Sequence, residues 1–109
     1  MAQIGRFIRT RSGFTGCIDT LFLSRDLSLV PAESFDAEAP DYRVRLGEGG
    51  PAIGAGWKRT SEKAGEYVSI LLDDPALAKP IHANLFRLDD DQSAWVLHWL
   101  PPRKRGARD

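Results

Sequence analysis

The sequence is poor in cysteine, and this bears on where the protein works. Cys17 is the one cysteine among 109 residues. A single cysteine cannot form a disulfide within the chain, whereas small secreted domains usually carry several. Residues 1–6 begin an alternation typical of a strand, where a secretory signal would have a basic segment followed by an apolar one. We therefore expect a cytoplasmic protein.

Long hydrophobic runs and an excess of charge of one sign are also missing. No stretch approaches the roughly 18 consecutive apolar residues of a membrane-spanning helix, so we expect no membrane partner. The 15 basic residues balance the 15 acidic ones, and no overall electric field therefore predicts a nucleic-acid partner. With 42% hydrophobic residues, the composition is that of one ordinary globular domain.

The zero net charge hides an uneven distribution along the chain. Three arginines lie within residues 1–11, and four basic residues lie within residues 103–109. The segment between them, 12–102, has 8 basic and 14 acidic residues. The protein is therefore an acidic body with two basic ends. These ends form one basic patch if they meet in space and two solvated flanks if they do not.

Hydrophobic residues alternate with a period of two, and helical periodicity is scarce. This pattern predicts strands at 3–10, 14–23, 27–30, 42–46, 53–60, 67–72, 81–88 and 94–100. We predict an all-β fold, a small and mostly antiparallel barrel or sandwich of about seven to eight strands. Residues 1–102 would form this single β domain. Residues 103–109 follow two prolines and lack large apolar side chains, so we expect a basic, disordered tail.

The strand phases also predict a core and free edges. Val44, Trp57, Ile70 and Leu97 fall at positions that we expect to be largely buried. An incompletely closed barrel of short strands leaves two edges, which are templates for pairing with another chain. Since no net charge repels a second copy, we expect a homodimer or an edge covered by a partner protein, with a monomer as the alternative.

Patterns that carry enzymatic chemistry are missing too. The glycine-rich run 47–56 lacks the lysine and the following helix of a phosphate-binding loop. Cys17, His82 and His98 match no zinc-ligand spacing, and each histidine fits a partly buried strand position. Residues 89–91 lack the spacing of a calcium loop and fit a polar hairpin tip. We therefore expect no enzyme, no catalytic residues, no metal and no cofactor.

Basic residues and an aromatic one on neighbouring predicted strands suggest a binding surface. Cations that follow phosphates and rings that stack on bases are what single-stranded nucleic-acid binding on a small barrel requires. The alternative interpretation places the tryptophan in the core and makes the cations the solvated face of a sheet. The candidate nucleic-acid-binding residues are Arg43, Arg45, Trp57, Lys58 and Arg59, with Arg103, Lys104 and Arg105 in the tail.

Several blocks of the sequence carry a family resemblance: MAQIG, FTG, APDYRV, IGAGWKRTS, YVSILLDDP, PIHANL and WVLHW. In these blocks, which extend over nearly the whole chain up to Leu100, the sequence resembles the bacterial family catalogued as domain of unknown function 736. The resemblance implies a short cytoplasmic bacterial protein, often associated with plasmids and integrative elements. It brings no activity and no catalytic residue, and the basic tail after Pro102 lies beyond it.

Two functions of different classes remain open at this point. The first is a non-enzymatic accessory factor of plasmid or mobile-element DNA that binds single-stranded nucleic acid. The second is a protein-interaction module that docks through a strand edge or an aromatic patch. The association with mobile elements favours the first, whereas the acidic body and the sequence pI of about 6.7 favour the second. A continuous basic face would distinguish them.

Deletion of the tail, residues 103–109, should leave the melting temperature almost unchanged because the tail has nothing large and apolar to bury. Under the nucleic-acid hypothesis, the deletion should weaken binding. Four phosphate contacts to a single strand contribute about −2.8 to the slope of log affinity against log salt concentration. The slope should flatten by about that amount with sequence preference retained, since phosphate contacts position and do not specify.

Thermal denaturation and salt-titrated binding to single-stranded DNA, duplex DNA and RNA measure both quantities. Unchanged affinity and slope would mean that the tail is only a solubilising flank.

Overall fold

A computed structural model describes residues 3–21, 23–32, 39–47, 49–63, 65–77, 79–88 and 91–101. They form eight strands: β1 (Gln3–Arg9), β2 (Phe14–Asp19), β3 (Ser24–Pro31), β4 (Tyr42–Leu46), β5 (Ala52–Ser61), β6 (Gly65–Leu72), β7 (Ile81–Leu88) and β8 (Asp91–Leu100). The described segments contain no helix of the length and apolar character needed to span a membrane. The predicted basic tail, 103–109, lies outside the described residues.

The eight strands form a closed barrel in which each strand is antiparallel to its neighbours along the chain. The predicted all-β, antiparallel fold is confirmed, and of the two predicted architectures the structure adopts the barrel. The expected free edges are wrong, because β8 pairs with β1 through Gly5–Leu97, Phe7–Trp95 and further pairs. Among the described strands the barrel therefore offers no edge to which a partner strand could add.

Alternation along the strands separates a core from an outer face. Val44 and Leu97 are fully buried and Ile70 is nearly so, which confirms three of the four predicted core residues. Successive residues of a strand point to opposite faces, so the neighbours of each core residue face outward. The barrel interior is filled by side chains, as expected for eight strands.

Trp57 is the exception among the predicted core residues: it is only half-buried. Its neighbour Gly56 lies opposite Tyr42 and Ile70, which are both buried, and this places Trp57 on the outer face. In a regular strand, residues four positions apart lie on the same face. Ile53 packs against the core, so the sequence alternation assigned Trp57 to the core as well.

A bulge between β4 and β5 explains the change of phase. Val44 pairs with Gly54, but Arg45 pairs with Ala52, so Ile53 is an extra residue on β5. Such a bulge adds one residue to one strand and reverses the inward and outward assignment beyond it. Ile53 can therefore pack against the core while Trp57, on the other side of the bulge, faces outward.

Glycine permits the closest approach between β1 and β2. A Cβ atom on Gly16 would overlap the Arg6 carbonyl oxygen. It would also lie 2.7 Å from the Cα atom of Phe7, closer than two non-bonded carbon atoms can approach. Both contacts involve atoms of the β1 backbone, which cannot move without disturbing the ladder that closes the barrel.

We expect Gly16→Ala to lower the free energy of unfolding by about 1–3 kcal/mol, the usual cost of overpacking a well-packed site. Thr15→Ala, one residue away and half-buried, is the matched control and should change stability by less than about 1 kcal/mol. Urea denaturation followed by tryptophan fluorescence measures both variants. A Gly16→Ala protein as stable as the control would show that β1 and β2 separate without cost.

Candidate nucleic-acid interface

Four rings from four consecutive strands lie on one side of the barrel. We call Trp57, Tyr67, Phe86 and His98 the aromatic face; all four side chains are half-buried. Tyr67 and Phe86 are directly paired, with ring centroids 5.4 Å apart. Phe86 and His98 meet edge to face with centroids 5.6 Å apart. Tyr67, Phe86 and His98 therefore form a contiguous, partly accessible ring cluster, and Trp57 has the same outward phase on the neighbouring strand.

Core packing on the other side of the strands orients these rings outward. In β6, Val68 and Ile70 are buried, so Tyr67 faces out. In β7, Ala83 and Leu85 are fully buried, which turns Phe86 to the outside. The same alternation in β8 buries Leu97 and exposes part of His98. The aromatic face is thus a consequence of filling the barrel, set by a period of two.

Small polar residues occupy the ladder between the outermost rings. Trp57 pairs with Ser69, Ser69 with Asn84, and Asn84 with His98. The side chains of Ser69 and Asn84 are much shorter than the rings beside them, and both are half-buried. A shallow row of hydrogen-bonding groups therefore crosses the aromatic face between Trp57 and His98.

Cations border the aromatic face on both sides. Arg59 is directly opposite Tyr67 on the neighbouring strand. Arg43 is opposite Ala55, two residues before Trp57, and Arg6 is opposite Val96 at the β8–β1 seam. All three arginines are exposed. Flexible guanidinium groups next to accessible rings can follow a phosphate backbone while the rings contact bases.

Carboxylates are almost absent from the strands that carry the aromatic face. Within β5, β6, β7 and β8 the acidic residues are Glu66 and, at the first position of β8, Asp91. Glu66 shares the inward phase of Val68 and lies at the end of the barrel. Asp41, just before β4, accepts a hydrogen bond from the backbone N–H of Lys58 through Oδ2 at 2.8 Å. The acidic excess of the chain is therefore concentrated elsewhere.

The structure brings together only part of the predicted site. Arg43, Trp57 and Arg59 share the outer face. Lys58 does not, because it is adjacent to Trp57 and pairs with buried Val68, so it has the inward phase.

Arg45 has the outward phase of Arg43, two residues before it on β4, but its partner on β5 is Ala52, on the other side of the bulge from Trp57. It pairs with Ser28 of β3, and its Nη1 donates a hydrogen bond to the Gly50 carbonyl at 3.4 Å. Of the four predicted barrel cations, Arg43, Arg45 and Arg59 therefore have the outward phase, and Lys58 does not. Arg103, Lys104 and Arg105 lie outside the described residues.

Sequence reasoning missed Phe86, His98 and Arg6 as parts of this surface. The available signal was the alternation of 81–88 and 94–100, which places Phe86 and His98 opposite the core positions of the same strands. Arg6 joins them only because β1 closes on β8. Long-range pairing of this kind is not encoded in any local pattern.

The side chains gathered on this side of the barrel are of types suited to binding. No group of three or more His, Cys, Asp or Glu residues in the described part of the chain is placed to hold a metal ion. Cys17 is half-buried. Accessible rings, arginines and short polar side chains recognise a ligand by stacking and charge.

Comparison with known proteins identifies a family without assigning an activity. No curated protein and no solved structure matches the chain. The family described as protein of unknown function (DUF736) matches residues 3–102. This match covers all eight strands of the barrel and includes the aromatic face, and by it the chain belongs to the DUF736 family.

Proposed function

We propose that this protein is a non-enzymatic binder of single-stranded nucleic acid, which it holds on the aromatic face. The observation that carries the proposal is a set of half-buried outward rings, three of them in contact, with exposed arginines nearby on strands that hold few carboxylates. A plasmid or mobile-element role, as the family resemblance implies, would use such binding as an accessory activity.

Stacking would supply most of the affinity for bases. Each base that stacks on an aromatic side chain contributes roughly 1–3 kcal/mol, and any base can do so because every base has a π-face. Tyr67 and Phe86 are neighbours at 5.4 Å between ring centroids, which offers a platform wider than one ring. Duplex bases are already stacked and paired, so this mode favours single strands.

Local charge, and not net charge, decides whether a phosphate backbone is attracted. At about 0.1 M salt the Debye length is about 10 Å, so distant acidic residues are largely screened. Arg59 is paired with Tyr67, whereas Arg43 and Arg6 are opposite residues that lie two positions before Trp57 and His98. A protein with a formal net charge of zero can therefore present a face that attracts anions.

A second candidate function is docking of a protein partner on the same face. Ile8 and Leu88 have the outward phase of Arg6 and Phe86 and lie near the end of the barrel, with 60% and 45% of their surfaces exposed. These apolar side chains extend the face beyond the rings, and exposed apolar patches often mark interaction sites. Since the barrel is closed, this candidate no longer involves a strand edge. Binding to a protein would depend on Ile8 and Leu88 and only weakly on salt.

Phe86→Ala should weaken binding of a fluorescein-labelled thymidine homo-oligonucleotide by about 5- to 150-fold, which corresponds to the loss of one stacked base. Leu21→Ala is the matched control, because Leu21 is 88% exposed and does not belong to the aromatic face. Fluorescence anisotropy at about 50 mM salt measures both. Equal affinities for the two variants, or no binding by the wild type, would contradict the proposal.

The double variant Arg43→Gln, Arg59→Gln should flatten the salt dependence of binding. Each phosphate contact to a single strand contributes about −0.7 to the slope of log affinity against log salt, so the slope should fall in magnitude by about 1.4. Arg25→Gln removes an exposed cation at the other end of the barrel and should leave the slope unchanged. An equal change of slope in the double variant and in Arg25→Gln would indicate that any surface cation attracts the oligonucleotide non-specifically.

A further inference from the structure

One end of the barrel opens into a cavity of about 270 Å³. We call this the barrel mouth and define it by Arg9, Phe14, Tyr42, Lys58 and Trp95, which line it. These residues come from five different strands, so the cavity exists only in the closed barrel. It is distinct from the outer surface described above, although the two share a rim.

The floor of the barrel mouth is a cluster of three rings. Phe14 meets Tyr42 and Trp95 edge to face, with ring centroids 5.8 Å and 5.0 Å apart. All three side chains belong to the buried core. The cavity is therefore blind: a ligand can enter from the end of the barrel but cannot pass through it.

Two cations lie over this floor. The Arg9 guanidinium carbon is 5.5 Å from the centroid of Phe14 and 5.9 Å from that of Trp95. The Lys58 Nζ atom is 5.7 Å from the centroid of Tyr42. These cation–π contacts hold the charged groups at the cavity while leaving N–H donors for an anion.

The lining has an excess of positive charge. Arg9, Lys58 and Arg59 contribute three positive charges, and Glu66 contributes one negative charge. Thr60 adds a hydroxyl to the same lining. A cavity with two net positive charges and several donors is complementary to a compact dianion such as a phosphate monoester.

The barrel mouth is continuous with the aromatic face. Arg59 and Tyr67 both line the cavity, and they also pair with each other on the outer surface. A strand that leaves the aromatic face across this pair reaches the cavity directly. Because the cavity is blind, it suits the end of a strand better than an internal phosphate.

We propose that the barrel mouth binds the terminal phosphate monoester of a single strand held on the aromatic face. This inference rests on the proposed function and adds to it a preference for phosphorylated ends. A terminal monoester carries a charge of about −1.5 to −2 at neutral pH, which matches the lining, whereas each internal diester carries only a single charge. Whether the 5′ or the 3′ end enters is decided by the direction in which the strand lies.

Three unlabelled oligonucleotides of one sequence test the inference: 5′-phosphorylated, 3′-phosphorylated and lacking a terminal phosphate. Each competes with an internally labelled reporter for the full-length protein. One phosphorylated form should bind about tenfold more tightly than the unphosphorylated one, as expected for charge-assisted hydrogen bonds. The ratio should increase as the pH rises through about 6, where the monoester takes its second charge.

Variants separate the two surfaces. Lys58→Gln and Arg9→Gln should each reduce the tenfold ratio while leaving the affinity for the unphosphorylated oligonucleotide within about twofold of wild type. Phe86→Ala should weaken all three oligonucleotides and preserve the ratio. Arg25→Gln, in a separate cavity at the opposite end of the barrel, is the matched control and should change neither quantity.

The outcomes distinguish failure of the inference from failure of the proposed function. Equal binding of all three oligonucleotides would overturn the terminal-phosphate site and leave the aromatic face as the binding surface. A preference that survives Lys58→Gln and Arg9→Gln would also overturn it, because the phosphate would then lie elsewhere. Absence of binding by every oligonucleotide would overturn both proposals.

Discussion

The pairing of β1 with β8 is the constraint on which the rest of the structure depends. It joins residues some ninety positions apart, from Gln3–His98 to Ile8–Ala94, and leaves the described strands without an edge. On its other side β1 pairs closely with β2, where a Cβ atom on Gly5 or Gly16 would overlap the backbone of the partner strand. Once the ladder closes, each residue of the eight strands has a defined side, either the interior or the outer face.

Both proposed surfaces follow from this closure. The inward phase fills the barrel and, at one end, leaves Arg9 and Lys58 above the ring cluster of the core. The outward phase of β5 to β8 collects Trp57, Tyr67, Phe86 and His98. The core and the aromatic face therefore use alternate residues of the same strands. The strand pair Arg59–Tyr67 is where the two surfaces meet.

The sheet also shows how a neutral protein can carry a face suited to an anionic partner. Fifteen acidic residues balance fifteen basic ones, but the strands of the aromatic face hold few of the acidic ones. Charge separation of this kind costs little, because loops and turns accept carboxylates without desolvating them. Glu66 follows the same distribution, because it lies at the end of the barrel and has the inward phase of Val68, opposite to that of the rings.

Local patterns were sufficient for the strand content and for much of the core. The period of two predicted an all-β fold and placed Val44, Ile70 and Leu97 inside, because a strand exposes alternate residues whatever its neighbours are. The predicted start of the third strand, Leu27, was three residues late, since its first residues, from Ser24, are exposed and carry no hydrophobic signal. The family resemblance was likewise readable from the sequence alone and was confirmed over residues 3–102.

The candidate site was decided by tertiary structure. Trp57 faces outward because the bulge at Ile53 changes the phase of β5, and a bulge depends on the partner strand. Arg59 joins the aromatic face and Lys58 the barrel mouth because neighbouring residues of a strand point to opposite sides, which cannot be assigned until the core side is known. Arg6 and Arg9 reach these surfaces through barrel closure. By itself the sequence determined which segments are strands, whereas the pairing of distant strands determined which side chains meet.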